Sequence, residues 1–160
     1  MPDMLVKLYD LPPLTPALVV AARHGGMIRR ALRDDQSSAV AWVRARFPSW
    51  VAETEAAFSR SPITCFVALR EQMIVGFACY DATCPNFFGP TGVDEACRGV
   101  GIGRALLLAA LHAQREQGYA YSIIGGVGPA SYYADAVGAV VIEGSTPGIY
   151  AERHKESGRA

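Results

Sequence analysis

The residues with the clearest chemical meaning are Arg98, Gly99, Val100, Gly101, Ile102, Gly103 and Arg104. Glycines at alternate positions let the backbone turn sharply and face its N–H groups outward. The apolar run that follows reads as a helix, and the positive end of its dipole falls on the same turn. Together these features suit a pyrophosphate, and Arg98 and Arg104 add charge. Two common phosphate loops can be excluded. A P-loop needs Gly-Lys-Ser/Thr after its second glycine, which is missing here. A dinucleotide turn needs G-x-G-x-x-G, but the sixth position is Arg104 counted from Gly99 and Leu106 counted from Gly101. No acidic residue closes a following strand about twenty residues further on.

Stepping outward, Phe87–Val93 precedes the turn as an apolar stretch whose Pro90 and Gly92 suggest a bulged strand. The helix after it is expected from Gly101 to about Gln117, with Gly118 as C-cap. Upstream, Ile63–Arg70 and Ile74–Ala82 flank Glu71-Gln72 and read as a hairpin. Downstream, Tyr119–Gly126 reads as a buried strand, Ala130–Val137 as a short helix between Pro129 and Gly138, and Val140–Gly144 as a further strand. Gly148–Glu152 is a candidate last strand before a polar tail. Towards the N-terminus, Met27–Leu32 is a candidate strand. A helix capped by Asp34 or Asp35 runs to about Phe47, and another follows Pro48 to about Arg60. In residues 1–26, Leu11-Pro12-Pro13-Leu14-Thr15-Pro16 argues against regular structure, so this segment reads as an arm with a short strand at Leu5–Tyr9. The division expected is 1–26 arm, 27–150 domain and 151–160 tail. Hairpin strands plus a strand-helix-strand crossover indicate an α/β or α+β domain on a mixed sheet.

With 51% hydrophobic and 19% charged residues, the 160-residue chain can build a core of its own. Basic and acidic residues balance at 15 each. That balance leaves no electrostatic footprint for nucleic acid or an anionic membrane, and it permits a homodimer. Cys65, Cys79, Cys84 and Cys97 form no C-x-x-C pair, so no metal is expected. No leader pattern and no membrane-length apolar run is apparent, which fits a cytoplasmic protein.

Val93, four further residues, the sequence Arg98-Gly-Val-Gly-Ile-Gly and an apolar helix resemble the acetyl-CoA motif of the GCN5-related N-acetyltransferase (GNAT) superfamily. That motif, R/Q-x-x-G-x-G/A, is filled by Arg98, Gly101 and Gly103, and residues 27–146 follow the order of elements in the superfamily. The resemblance implies a mostly antiparallel sheet of six to seven strands, splayed at the centre, with about four flanking helices. It also implies transfer of acetyl from acetyl-CoA to a primary amine by direct attack. Backbone groups of Thr91, Gly92 and Val93 would pair with the pantetheine arm, and N–H groups from Arg98 through Arg104 would hold the pyrophosphate. Alternatives on the same fold are a CoA-sensing or interaction module without catalysis and a transferase using another acyl-CoA, such as succinyl-CoA.

In the family, a tyrosine on the helix after the splayed strand often protonates the departing thiolate. The usual pattern is an aromatic, Tyr, three residues, then Gly-Phe. Here Tyr132-Tyr133 is followed by four residues before Gly138, and Ala139 replaces the Phe. Tyr133 is therefore the expected acid and Tyr132 its packing partner, with Val137 as the residue that would bulge the helix end. A phenol with pKa near 10 suits donation to a thiolate. Many relatives carry a carboxylate on the bulged strand, but Phe87–Val93 has none. Asp81 is the nearest substitute and reads better as a solvated turn residue. His24, His112 and His154 read as surface residues. Trp42, Arg46, Phe47, Trp50, Tyr80, Phe87 and Phe88 are candidates to line the acceptor pocket, and the Ser145–Tyr150 turn is placed to close it or to join a dimer contact.

Overall fold

The computed structural model describes residues 1–153; His154 lies outside them. Seven strands form one sheet in the order β2-β3-β4-β5-β6-β1-β7. They are β1 (Met4–Lys7), β2 (Met27–Arg30), β3 (Cys65–Arg70), β4 (Met73–Tyr80), β5 (Phe87–Val93), β6 (Tyr121–Ile124) and β7 (Val140–Val141). Every neighbouring pair is antiparallel except β5–β6. The helices are α1 (Leu14–Arg23), α2 (Gln36–Arg46), α3 (Val51–Phe58), α4 (Ile102–Glu116) and α5 (Ala130–Val137). Among the described residues, no helix is long and apolar enough to cross a membrane.

Strand alternation divides the core into two layers. Cys65 and Val67 of β3, with Phe77 and Cys79 of β4, pack with Val43 of α2 and with Ala57 and Phe58 of α3. The intervening Ala68, Ala78 and Tyr80 pack on the opposite face with α4, whose Ile102, Leu106, Leu107, Leu108 and Leu111 are all buried. Helix α4 is enclosed because α1 covers its outer side with Ala17 and Ala21. The β3–β4 hairpin turns at Glu71 and Gln72, with φ of 50° and 63°. Both values lie in the left-handed region that two-residue hairpin turns demand.

The N-terminal segment departs from the sequence reading. Its strand is integral to the sheet, between β6 and β7, with Met4 and Val6 buried. The proline cluster does not prevent a helix either. Pro16 falls in the first turn of α1, where the N–H that proline lacks has no intrahelical acceptor to bond. This helix makes five among the described residues, close to the four or so expected. Two further corrections follow. Gly148–Tyr150 is a short 3-10 turn, not a strand. Asp35 precedes α2, but its carboxylate accepts the Leu32 N–H at 2.6 Å and pairs with Arg29 rather than capping the helix.

Candidate functional site

The parallel pair β5–β6 is short. Phe87 opposes Ile123 and Phe88 opposes Ile124, and the two chains then part. Two features cause the separation. On β5, Ala78 of β4 faces Thr91 while Tyr80 faces Phe88, so β5 carries one extra residue at Gly89–Pro90. This is the expected bulge, and Gly89 takes φ of 112°, which favours glycine. Beyond β6, the backbone turns to the N-terminal segment instead of β5. Val127 N–H donates to Pro2 O at 3.1 Å, and Gly126 N–H donates to Asp3 Oδ1 at 2.9 Å. A cavity of about 650 Å³ lies in the gap, lined on the β5 side by Phe87–Thr91, and among the described residues the β6-side edge of Gly89–Val93 has no partner strand.

At the far end of β5 lies the glycine turn. Asp94 caps a short 3-10 turn over Glu95–Cys97 by accepting the Ala96 N–H, and its Oδ2 accepts from Arg46 Nη2 at 2.9 Å. Gly99 and Gly101 then adopt φ of 79° and 89°, and α4 begins. The N–H groups of Gly99 through Arg104 find no acceptor among the described residues, and the first bonded N–H of the helix is that of Ala105. Six consecutive donors thus meet at a helix N-terminus, and their chemistry fits a pyrophosphate. Helix α1 backs the turn, because a Cβ on Gly101 would stand 2.8 Å from Val20 Cγ1. The arginine side chains serve the scaffold. Arg98 Nε donates to Val93 O, tying the turn to the end of β5, and Arg104 Nη1 donates to Ala136 O, tying α4 to α5.

The last turn of helix α5 is wide: Gly138, in the left-handed conformation, bonds its N–H to Ala134 O and Tyr133 O, and the Ala139 N–H reaches back six residues to Tyr133 O. The Tyr132 and Tyr133 rings pack edge to face with centroids 5.1 Å apart, as packing partners. Tyr133 lines the cavity, whereas the Tyr132 hydroxyl reaches the glycine turn, 3.8 Å from a Cβ built on Gly103. Burial, with Tyr132 beside it, pushes the Tyr133 phenol above its ordinary range, so its proton is retained at neutral pH. Burial also raises Tyr132, against the opposing charge of Arg104.

Other expected site residues fall in different places. Trp50, Phe87 and Phe88 line the cavity. Trp42 and Phe47 pack on Phe77 beneath α2 instead, Arg46 is committed to Asp94, and Tyr80 is wholly buried and accepts a bond from Arg30. Asp81 is not solvated. It is 5% exposed, accepts the Asn86 N–H at 2.7 Å, and lies away from the cavity. His112 is half-buried, with Nε2 2.8 Å from Pro12 O. Thr146, Pro147 and Tyr150 of the C-terminal turn close one side of the cavity. Sequence reasoning missed two acidic residues here, Asp3 behind the β6 turn and Glu53 on the cavity wall.

The chain is thus an α/β domain with a splayed mixed sheet and a row of free amides at the head of its central helix. A family model described as "Acetyltransferase (GNAT) domain" matches residues 61–138, from just before β3 to the cap of α5. The chain has the fold of the GCN5-related N-acetyltransferases, and residues 61–138 are similar to that family in sequence. The fold is similar to a GCN5-related glucosamine N-acetyltransferase region of a fungal multi-domain GH3 beta-N-acetylglucosaminidase. There the TM-score is 0.73 at 13% identity, covering 88% of this chain and 19% of that one. It is also similar to a GCN5-related N-acetyltransferase from Sphaerobacter thermophilus, with a TM-score of 0.66 at 20% identity, covering 88% and 48%. A third similar structure is an aminoglycoside acetyltransferase from an uncultured soil metagenomic sample, in complex with sisomicin (TM-score 0.51, 18% identity, covering 71% and 85%). The chain spans about a fifth and about half of the first two structures. No curated protein matches it.

Proposed function

We propose that the chain is an acetyl-CoA-dependent N-acetyltransferase acting on a primary amine. The observation that carries this reading is that β5 connects the cavity at the splay, along the unpartnered edge of Thr91–Val93, to the turn that bears the free amides of Gly99–Arg104. In this reading the amides of the glycine turn bind the pyrophosphate, and the backbone of Thr91, Gly92 and Val93 orients the pantetheine arm. The bound thioester supplies an electrophilic carbonyl and a thiolate leaving group. Tyr133 holds its proton at Oη, on the cavity wall, and gives it to the departing sulfur.

A module that binds CoA without catalysis is the second reading, favoured by the lack of a carboxylate in Phe87–Val93. A panel of amines incubated with acetyl-CoA, followed by free thiol release, separates the two. Turnover with at least one amine, reduced in Tyr133→Phe, is expected. Binding of acetyl-CoA with no turnover across the panel would favour the second reading.

A further inference from the structure

An amine arrives largely as ammonium and must lose a proton before it can attack, yet β5 offers no group to take it. Glu53 is the one carboxylate among the residues lining the cavity. It lies in the first turn of α3, where the helix dipole favours a negative charge. Its position is fixed from the opposite wall, since Thr83 Oγ1 donates to Glu53 Oε1 at 2.5 Å. Oε2 has no partner among the described residues and is left to accept from a ligand. Around it stand the rings of Trp50, Phe87 and Tyr150, surfaces that take a planar or apolar body and tolerate a nearby cation. Arg153 lines the same cavity, with Cζ 5.8 Å from the Tyr150 ring centroid, and supplies a positive charge there.

We propose that Glu53 anchors the acceptor's ammonium and takes its proton, and that the acceptor is a monocationic primary amine on an apolar or aromatic body. The proposal rests on the acyl-transfer reading above and names the acceptor class for that site. One carboxylate and one guanidinium on the walls of the same cavity match a single ammonium and disfavour polycations, whose second charge would meet Arg153 unpaired. In the step, an N–H bond of the ammonium breaks as the Oε2–H bond forms. The freed lone pair attacks the acyl carbon, the C–S bond breaks, and sulfur takes the Tyr133 proton. The second proton leaving nitrogen restores the Tyr133 phenol, so the amide product is neutral, and Glu53 releases its proton to water.

The test compares the wild-type protein with Glu53→Gln and Thr83→Val, using 2-phenylethylamine, spermidine and aniline as acceptors. Wild type should prefer 2-phenylethylamine to spermidine by about tenfold or more in kcat/KM. Glu53→Gln should lose about 100-fold with 2-phenylethylamine at pH 7, the scale of general-base catalysis. That loss should shrink as the pH rises towards the amine's own pKa. Aniline, uncharged at pH 7, should change by no more than about threefold, and Thr83→Val should fall between wild type and Glu53→Gln. Stabilisation by acetyl-CoA should be equal in all three proteins, which also shows that the variants fold. Binding of 2-phenylethylamine without acetyl-CoA, followed by NMR, should be lost in Glu53→Gln. Retained amine binding and turnover in Glu53→Gln, or a preference for spermidine, would overturn the proposal. If wild type neither binds acetyl-CoA nor releases its thiol, the acyl-transfer reading fails, and the NMR titration alone still decides whether Glu53 holds an ammonium.

Discussion

Asp3 Oδ1 accepts the Gly126 N–H at 2.9 Å across 123 residues of sequence, so the first strand holds the far wall of the cavity. Asp3 is 8% exposed, its own N–H donates to Ser145 Oγ at 2.8 Å, and its carbonyl accepts from the Ile142 N–H. The amide of Gly126 is thereby held by Asp3 rather than by β5.

Replacing Asp3 with Ala strands that half-buried amide. A hydrogen bond to a charged group contributes about 1.5–3 kcal/mol, so Asp3→Ala should lose about that much stability, and Asp3→Asn, which keeps an acceptor, should lose less. Urea unfolding measures the difference. An Ala variant as stable as wild type would mean that β1 does not brace the splay.

Gly101→Ala meets two penalties. Its φ of 89° is unfavourable for a residue with a side chain, and the new methyl would lie 2.8 Å from Val20 Cγ1. A loss of about 1–3 kcal/mol is expected, together with weaker acetyl-CoA binding as the amide row shifts. Gly99→Ala has a φ of 79° but nothing within 4 Å, so it should cost only the backbone term. Equal effects in thermal melts would contradict this account of the turn.

Tyr133→Phe removes the proposed acid while keeping the ring, so kcat should fall about 100-fold with little change in the melting temperature or in acetyl-CoA affinity. Because burial raises the phenol's pKa, an alkaline decline in wild-type kcat that belongs to Tyr133 should lie above about pH 10 and be absent from the variant. An unchanged kcat would remove Tyr133 from the chemistry.

Asp35 and Arg29 join β2 to the turn before α2 at 2.6 Å. The hydrogen bond from Arg29 holds the Asp35 pKa below its ordinary value, and the Leu32 N–H adds to that effect. Asp35 therefore contributes stability above about pH 4 that is lost as the pH falls through its folded-state pKa. Asp35→Asn should be less stable by about 1–2 kcal/mol at pH 7, with the gap closing in acid. A gap that persists at pH 2 would show that the loss is steric.

The middle of the molecule was legible because its signals are local. Glu71-Gln72 marked the hairpin, Pro90 and Gly92 the bulged strand, and Pro129 and Gly138 bracketed α5 to the residue. The ends were not, because their structure depends on distant partners. A strand at Met4–Lys7 becomes interior only when β6 and β7 flank it. The Pro-rich run hid α1 because proline is tolerated in a first helical turn. Glu53 carried no signal of its own, since nothing near it in sequence points to Thr83 or to a cavity. Asp81 misled in the opposite direction, a turn aspartate that folding buries under Asn86 and Gln114.

The most direct measurement is thermal unfolding with acetyl-CoA, NAD or ATP added separately. A ligand present at a hundred times its Kd stabilises by about 2.7 kcal/mol, which for a domain of this size is about 5–10 °C. The account predicts a shift of that order with acetyl-CoA, little with NAD or ATP, and a reduced shift in Gly101→Ala. No shift at millimolar acetyl-CoA would contradict the assignment of the Gly99–Arg104 turn as the acyl-CoA site.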